Sequence, residues 1–324
     1  MIILFDSEFK EIGKADIDVD IEVGSSTDSA NNFELQSATI QSLNPYGWYI
    51  EGTELGGIFE YIYSSTENDY STLMGYSWRG LMALSIISPS SGADYKIVSG
   101  EANTIIASIL ADVLGGFFEV STEASGLTIS SYQFPLHVNT LDGLEGMLEK
   151  YGYRLKIEAK KESIGDPIKV YVSAVESQQV SGVFNKDNRI PMSFEINNMG
   201  INHLICAGEG QLQDRMKVDL YIDENGDIST TQYYTGFAER TAFYDYSSAE
   251  SEDDLIDGGK DRLKELACSK TLEMKAPQDM ELDIGDTVRG VFNDGTEIIS
   301  PITNKIYKIE AGLISVEYKI KGEN

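Results

Sequence analysis

His203 and Cys206 lie three residues apart in the stretch Asn202–Asp223, NHLICAGEGQLQDRMKVDLYID. A cysteine nucleophile needs its base within hydrogen-bond reach. The surrounding pattern is that of a strand, with Ile201, His203 and Ile205 alternating with Asn202, Leu204 and Cys206. On a strand an offset of three turns two side chains to opposite faces. The pair therefore reads as a packed thiol and a structural imidazole. His137 has Ser130 and Ser131 nearby, but no nucleophile elbow surrounds either serine. With two histidines in the chain, a His-based triad or a His-rich metal site is a poor fit.

Asp223, Asn225 and Asp227 invite a calcium reading. An EF-hand-type loop needs glycine at its sixth position and a distant glutamate. Here Gly226 falls at the fourth, and Asn225-Gly226 is a strong hairpin-turn signal, so a turn is expected. Asp16, Asp18, Asp20 and Glu22 form an alternating acidic ridge. A general acid/base pair would need one carboxyl in an apolar setting. A ridge of four on a wet face offers no such contrast, and charge runs of this kind are solvated faces. Gly208-Glu209-Gly210 lacks the third glycine and the following helix of a dinucleotide site. No catalytic residue, cofactor or metal is expected.

The 324 residues are enough for two or three domains, and 41% apolar content is enough to build cores. Eighteen Tyr and twelve Phe, with frequent Thr and Ile, lean towards β-structure. The formal net charge of −28 argues against a nucleic-acid-binding surface, which needs clustered Lys and Arg, and against docking on an anionic membrane. Cys206 and Cys268 have no disulfide, zinc or redox spacing and fit a reducing compartment. Met1–Phe5 is apolar but runs into Asp6 and Glu8, so neither a signal peptide nor a membrane anchor is expected. The stretch Ile105–Phe118 is interrupted by Asp112 and is too short to span a bilayer.

Three segments are expected, in a β-rich α+β fold. Residues 1–91 read as an N-terminal β-barrel-like domain. Ile17, Val19, Ile21 and Val23 share one strand face, and further strands fall at Phe33–Ile40, Gly47–Ile50, Ile58–Tyr63 and Thr72–Trp78. Pro89-Ser90-Ser91-Gly92 marks a boundary. Residues 92–180 read as a small α+β domain. One helix carries Ile105, Ile106, Ile109, Leu110, Val113 and Leu114, with Gly115 as its stop. A second starts at Asn139 and carries Leu141, Leu144, Met147, Leu148 and Tyr151. A hairpin follows, turning near Gly165-Asp166-Pro167. Residues 181–324 read as a second β-barrel-like domain, with strands at Met280–Val291, Ile302–Ile309 and Leu313–Ile320 and a loop at Asn293-Asp294-Gly295. A helical insertion near 250–270 is capped by Ser251 with Asp254.

Three stretches look familiar. They are YSWRGLMALSIISP, closing the first β-domain; NHLICAGEGQLQDRMKVDLYIDENGDIS; and LDIGDTVRGVFNDGTEIISPITNKIYKIEAGLISVEYKIKG, with its Gly285-Asp286-Thr287-Val288 strand start. In that order they resemble the central tail-hub, or baseplate-hub, proteins of long-tailed and contractile phages. The resemblance spans nearly the whole chain, although the basic residue common in the family's apolar run is missing after Leu84.

The resemblance implies a virion structural protein of a phage or prophage, made in the bacterial cytoplasm, that forms a homotrimeric ring at the distal end of the tail. Three chains would present six similar domains to the tail tube or a distal tail protein, with a tip, spike or fibre on the other side. DNA would pass through without specific binding, and Asp16, Asp18, Asp20 and Glu22 are candidates for an acidic lumen face. The chain is then not an enzyme. The rival reading is a carbohydrate-binding or cell-surface adhesion module using Tyr61, Tyr63, Tyr233, Tyr234, Phe243 and Tyr244. A weaker one is a carboxylate-dependent glycoside hydrolase.

Overall fold

The computed structural model describes residues 2–24, 31–37, 43–67, 69–114, 117–184, 192–197, 199–224, 226–249, 251–274, 282–291, 295, 297–310 and 313–322. The chain divides into two compact units. The first comprises Met1–Pro191, Met274–Arg289 and Pro301–Lys319, and the second Met192–Glu273, Gly290–Ser300 and Ile320–Asn324. The β-rich, mixed α+β character expected from the pattern is what the chain adopts.

The chain begins with seven strands: β1 (Ile2–Phe5), β2 (Glu11–Ala15), β3 (Val19–Gly24), β4 (Asn32–Ser37), β5 (Gly47–Tyr49), β6 (Gly56–Ser64) and β7 (Ser71–Ser77). A short helix α1 (Trp78–Ala83) follows, its start capped by the Ser77 hydroxyl, which accepts the Gly80 N–H at 3.2 Å. Then come β8 (Ile97–Glu101), α2 (Ala102–Leu114), β9 (Phe118–Val120), β10 (Thr128–Gln133), α3 (Thr140–Glu149), β11 (Tyr153–Lys160), β12 (Lys169–Glu176) and β13 (Gln179–Phe184). The remaining elements are β14 (Met192–Asn197), β15 (His203–Ala207), β16 (Lys217–Ile222), β17 (Ile228–Ser229), β18 (Thr241–Asp245), α4 (Glu252–Leu266), β19 (Ser269–Met274), β20 (Thr287–Val291), β21 (Glu297–Glu310) and β22 (Leu313–Gly322).

In the first unit, a long sheet runs β22-β21-β3-β4-β7-β6-β5-β1-β2. The last strands of the chain thus pair with strands near its beginning. The alternation read in Ile17–Val23 is real from Val19 onward: Val19, Ile21 and Val23 are buried, and Asp20 points out. Asp16 and Asp18 precede the strand, exposed. The expected strand Phe33–Ile40 is observed as β4 up to Ser37; residues 38–40 lie outside the described residues.

The same unit holds both expected helices. On α2, Ile105, Ile106, Ile109 and Leu110 are buried; Gly115, expected to stop it, lies outside the described residues. On α3, Leu141, Leu144, Met147 and Leu148 are fully buried, and the Asn139 side chain accepts the Asp142 N–H at 2.9 Å. The hairpin is β11–β12, with Leu155 opposite Ala174 and Ile157 opposite Val172. One hydrophobic core joins all of this to the sheet, running from Phe5, Tyr49 and Trp78 through α2 and α3 to Val170 and Val172.

In the second unit a sheet ordered β17-β16-β15-β18 carries α4 on one face. Leu204 and Cys206 pair in register with Leu220 and Val218, and all four turn inward to Leu255 and Leu263 of the helix. Ser251 caps α4 by accepting the Asp254 N–H at 3.1 Å. The strand region expected from Met280 and the loop at Asn293-Asp294 lie in part outside the described residues.

Candidate functional site

The exposed side chains of adjacent strands in the first unit fall into rows, because residues paired in register on neighbouring strands share a face. One row runs across five strands: Lys308 on β21, Asp20 on β3, Glu34 on β4, Met74 on β7 and Tyr61 on β6. Asp20 and Glu34 are direct cross-strand neighbours. Asp16, Asp18, Asp20 and Glu34 line an open concavity of about 850 Å³, with Tyr70 and Lys308 at its sides. Glu22 shares the outward face but is separately engaged. Its carboxylate pairs with Lys319 Nζ at 2.8 Å and accepts from Asn304 Nδ2 at 2.8 Å. The ridge therefore divides, three of its acids around the concavity and the fourth in an ion pair. Glu34 is the member that sequence reasoning missed. Its signal was the alternation Asn32-Phe33-Glu34-Leu35-Gln36, which puts it on the polar face of β4.

On the inward side of the same unit lies a chain of charges that composition could not reveal. Arg79 Nε binds Glu54 Oε2 at 3.0 Å, and Arg79 Nη1 pairs with Glu145. Glu54 Oε1 receives Lys305 Nζ at 2.7 Å and the Tyr307 hydroxyl at 2.9 Å. Lys305 also reaches Asp283 at 2.5 Å. Arg154 binds Asp283 at 2.6 Å and Asp286 at 2.8 Å, and Asp286 accepts the backbone N–H groups of Gln178 and Asp283, each at 2.8 Å. Glu54, Arg79, Lys305 and Asp286 are all buried. Burial alone would raise the Glu54 carboxyl, but Lys305 and Arg79 outweigh it and hold the group down to about 2. Burial alone would lower Lys305, but Glu54, Tyr307 and Asp283 raise it well above the ordinary lysine range. These groups are neutralised in place, and their ion pairs tie α1, α3, β11 and β21 to the turns at Glu54 and Asp283–Asp286.

In the second unit, Cys206 and His203 lie on opposite faces of β15. The Cys206 thiol packs under α4, and burial first, then the Asp219 charge, pushes it up to about 11. His203 stacks on Tyr221 with ring centroids 4.3 Å apart. Its Nε2 is 2.8 Å from Asp219, and its Nδ1 is 2.8 Å from Glu239 and 3.0 Å from the Thr241 hydroxyl. Asp223 closes the β16–β17 turn: its carboxylate accepts the Asp227 N–H at 3.0 Å, and Asn225 lies outside the described residues. Among the described residues, no group of three or more His, Cys, Asp or Glu side chains is placed to hold a metal ion. No helix among them is long and apolar enough to cross a membrane.

The six aromatic residues of the adhesion reading do not share one unit. Tyr61 and Tyr63 are exposed on β6 in the first unit, whereas Tyr233, Tyr234, Phe243 and Tyr244 belong to the second.

No family model matches the chain, and no curated protein matches it. Among solved structures, 33 chains match. The chain is similar to the tail protein from Neisseria meningitidis MC58 at 12% identity and a TM-score of 0.48, over 99% of this chain and 96% of that one. It is similar to the prophage tail protein gp18 from Listeria monocytogenes EGD-e at 14% identity and a TM-score of 0.48, over 99% and 94%. It is also similar to the 43 kDa tail protein of prophage MuSo2 from Shewanella oneidensis at 11% identity and a TM-score of 0.47, over 98% and 97%. By their descriptions these three are tail proteins, two of them of prophages.

Proposed function

We propose that this chain is a non-enzymatic structural component of a phage or prophage tail. In this reading it forms the ring-shaped hub, a homotrimer, that joins the tail tube to the tip, spike or fibre and lets DNA pass. Residues 1–91 and 181–324 furnish its two barrel-like halves, and residues 92–180 the α+β segment between them. What carries the reading is the meeting of two of the three resembling stretches inside one unit. Arg79 comes from YSWRGLMALSIISP, and Asp283, Asp286 and Lys305 come from LDIGDTV and the strands after it. Glu54 bridges Arg79 and Lys305, at 3.0 and 2.7 Å. The residues that bear the resemblance thus also bear the architecture. The acidic concavity at Asp16, Asp18 and Asp20 suits a passage wall to which phosphate does not adhere.

Negative-stain electron microscopy of the purified chain at micromolar concentration tests the reading. Three-fold rings with an open centre are the expected result. Single compact particles that bind on a glycan array would replace it with the adhesion reading. Hydrolysis of a cell-wall polymer, abolished by one Asp or Glu change, would overturn the non-enzymatic assignment.

A further inference from the structure

We propose that the outward face of β3, β4, β7 and β6 is a docking groove for a basic segment of another protein, one that carries a bulky apolar side chain beside its Lys or Arg. The groove has two adjoining parts. The acidic concavity around Asp20 and Glu34 is one. The other is a concavity of about 360 Å³ lined by Phe33, Glu34, Glu60, Tyr61, Met74 and Tyr76, so Glu34 belongs to both. The row across the strands gives the order of chemistry along the groove: the carboxylates of Asp20 and Glu34, then Met74, then Tyr61. Neighbouring strands are about 5 Å apart. A cation over the carboxylates and an apolar group about 5–10 Å further on would meet both parts at once.

Two features of this row cost the free chain stability. Like charges directly opposite on neighbouring strands destabilise a sheet, and Asp20 and Glu34 are such a pair; Lys308, opposite Asp20 on β21, and Gln36, whose Nε2 donates to Glu34 at 3.1 Å, offset that cost in part. Met74 and Tyr61 are 36% and 54% exposed at the apolar end, so the row also leaves apolar surface in water. A Lys or Arg placed between the two carboxylates relieves the first cost, and an adjacent apolar side chain relieves the second. Charge selects the occupant. Phosphate-bearing polymers and anionic membranes are repelled here. A second copy of the chain carries a net −28 of its own, so a partner rich in Lys and Arg is the complement. The inference rests on the geometry of this row and not on ring formation; a basic segment seated here takes Asp20 out of the acidic passage wall and leaves Asp16 and Asp18 to it.

The test measures fluorescence anisotropy of labelled ten-residue peptides with the full chain at about 0.15 M salt, where distant charges are screened. The probes are an alternating Lys-Leu peptide, an alternating Lys-Ser peptide and an alternating Glu-Leu peptide. The Lys-Leu peptide is expected to bind about tenfold more tightly than Lys-Ser, and the Glu-Leu peptide not at all. Met74→Ser is expected to weaken Lys-Leu binding about tenfold, as is the pair Asp20→Asn with Glu34→Gln. Glu34→Gln alone removes the cross-strand repulsion and leaves Asp20 opposite Lys308, so its urea midpoint is expected to rise while its binding falls. A purely structural role for these carboxylates would not produce that opposition. Equal binding of Lys-Leu and Lys-Ser, no binding of either, or indifference to both sets of changes would overturn the proposal. Ring imaging is read separately, so failure of the groove and failure of the hub are distinguishable.

Discussion

At the scale of single residues, the buried charge chain decides most. Arg79 pairs with Glu54 and Glu145, and its removal takes one of two cations from buried Glu54, which keeps Lys305, and one ion pair from the half-buried Glu145. Arg79→Ala is therefore expected to cost about 3 kcal/mol in urea unfolding, the lower end of what breaking a buried pair costs. The acid limb of stability follows from Glu54 and Glu101. At Glu101 burial opposes the charged form, but the Ser125 hydroxyl and N–H and the Thr104 and Asn103 N–H groups hold the carboxyl down to about 2. A carboxyl depressed in the folded state stabilises it fully above its unfolded value of 4.5, and that contribution is lost as pH falls towards about 2. Thermal melts are expected to be flat in this respect above pH 4.5 and to fall between 4.5 and 2, with a shallower fall in Glu101→Gln. Cys206 gives a simpler check. Its buried thiol, pushed up to about 11, should resist iodoacetamide at neutral pH while the partly exposed Cys268 is modified. The alternation of Asp20 and Glu22 with Ile21 and Val23 was legible in the sequence because period-2 patterning is local. The ion chain was not: Glu54 lies 25 residues from Arg79 and 251 from Lys305, and no local pattern reports such a pairing.

At the scale of elements, the strongest periodicities survived because they encode burial directly. Leu141, Leu144, Met147 and Leu148 all lie fully buried on α3, and the capping side chains Asn139 and Ser251 stand where their residue types placed them. What periodicity cannot encode is which helix residue must be small. Gly259 sits in the middle of α4, where glycine is about 1 kcal/mol worse than alanine by propensity. A Cβ there would lie 2.6 Å from Cys206 Sγ and 2.7 Å from Leu220 Cδ1, well inside contact distance. Overpacking of this kind costs about 1–3 kcal/mol and is expected to win, so Gly259→Ala should lower stability by about 1–2 kcal/mol. Cys206→Ala in the same chain removes one of the two clashing atoms and should recover part of the loss. The double-mutant cycle in chemical denaturation measures that coupling.

At the scale of the whole molecule, the net charge of −28 is a standing self-repulsion. Salt screens exposed charges within about 10 Å at 0.1 M and leaves buried pairs largely untouched. The melting temperature by circular dichroism is therefore expected to rise as sodium chloride is raised from low ionic strength. A fall would mean that surface ion pairs outweigh the excess of acid. The first unit is also discontinuous along the chain: Glu22 on β3 meets Asn304 on β21, 282 residues away, and Lys319 on β22, 297 residues away. On a ribosome adding about 5–20 residues per second, β3 waits roughly 15–60 seconds for the strand that covers its edge. Through that interval the nascent chain carries an open strand edge backed by Val19, Ile21 and Val23, the kind of template on which other chains assemble. The outward carboxylates of Asp20 and Glu22 sit on that waiting edge, and their charge guards it against premature pairing until the last strands of the chain arrive.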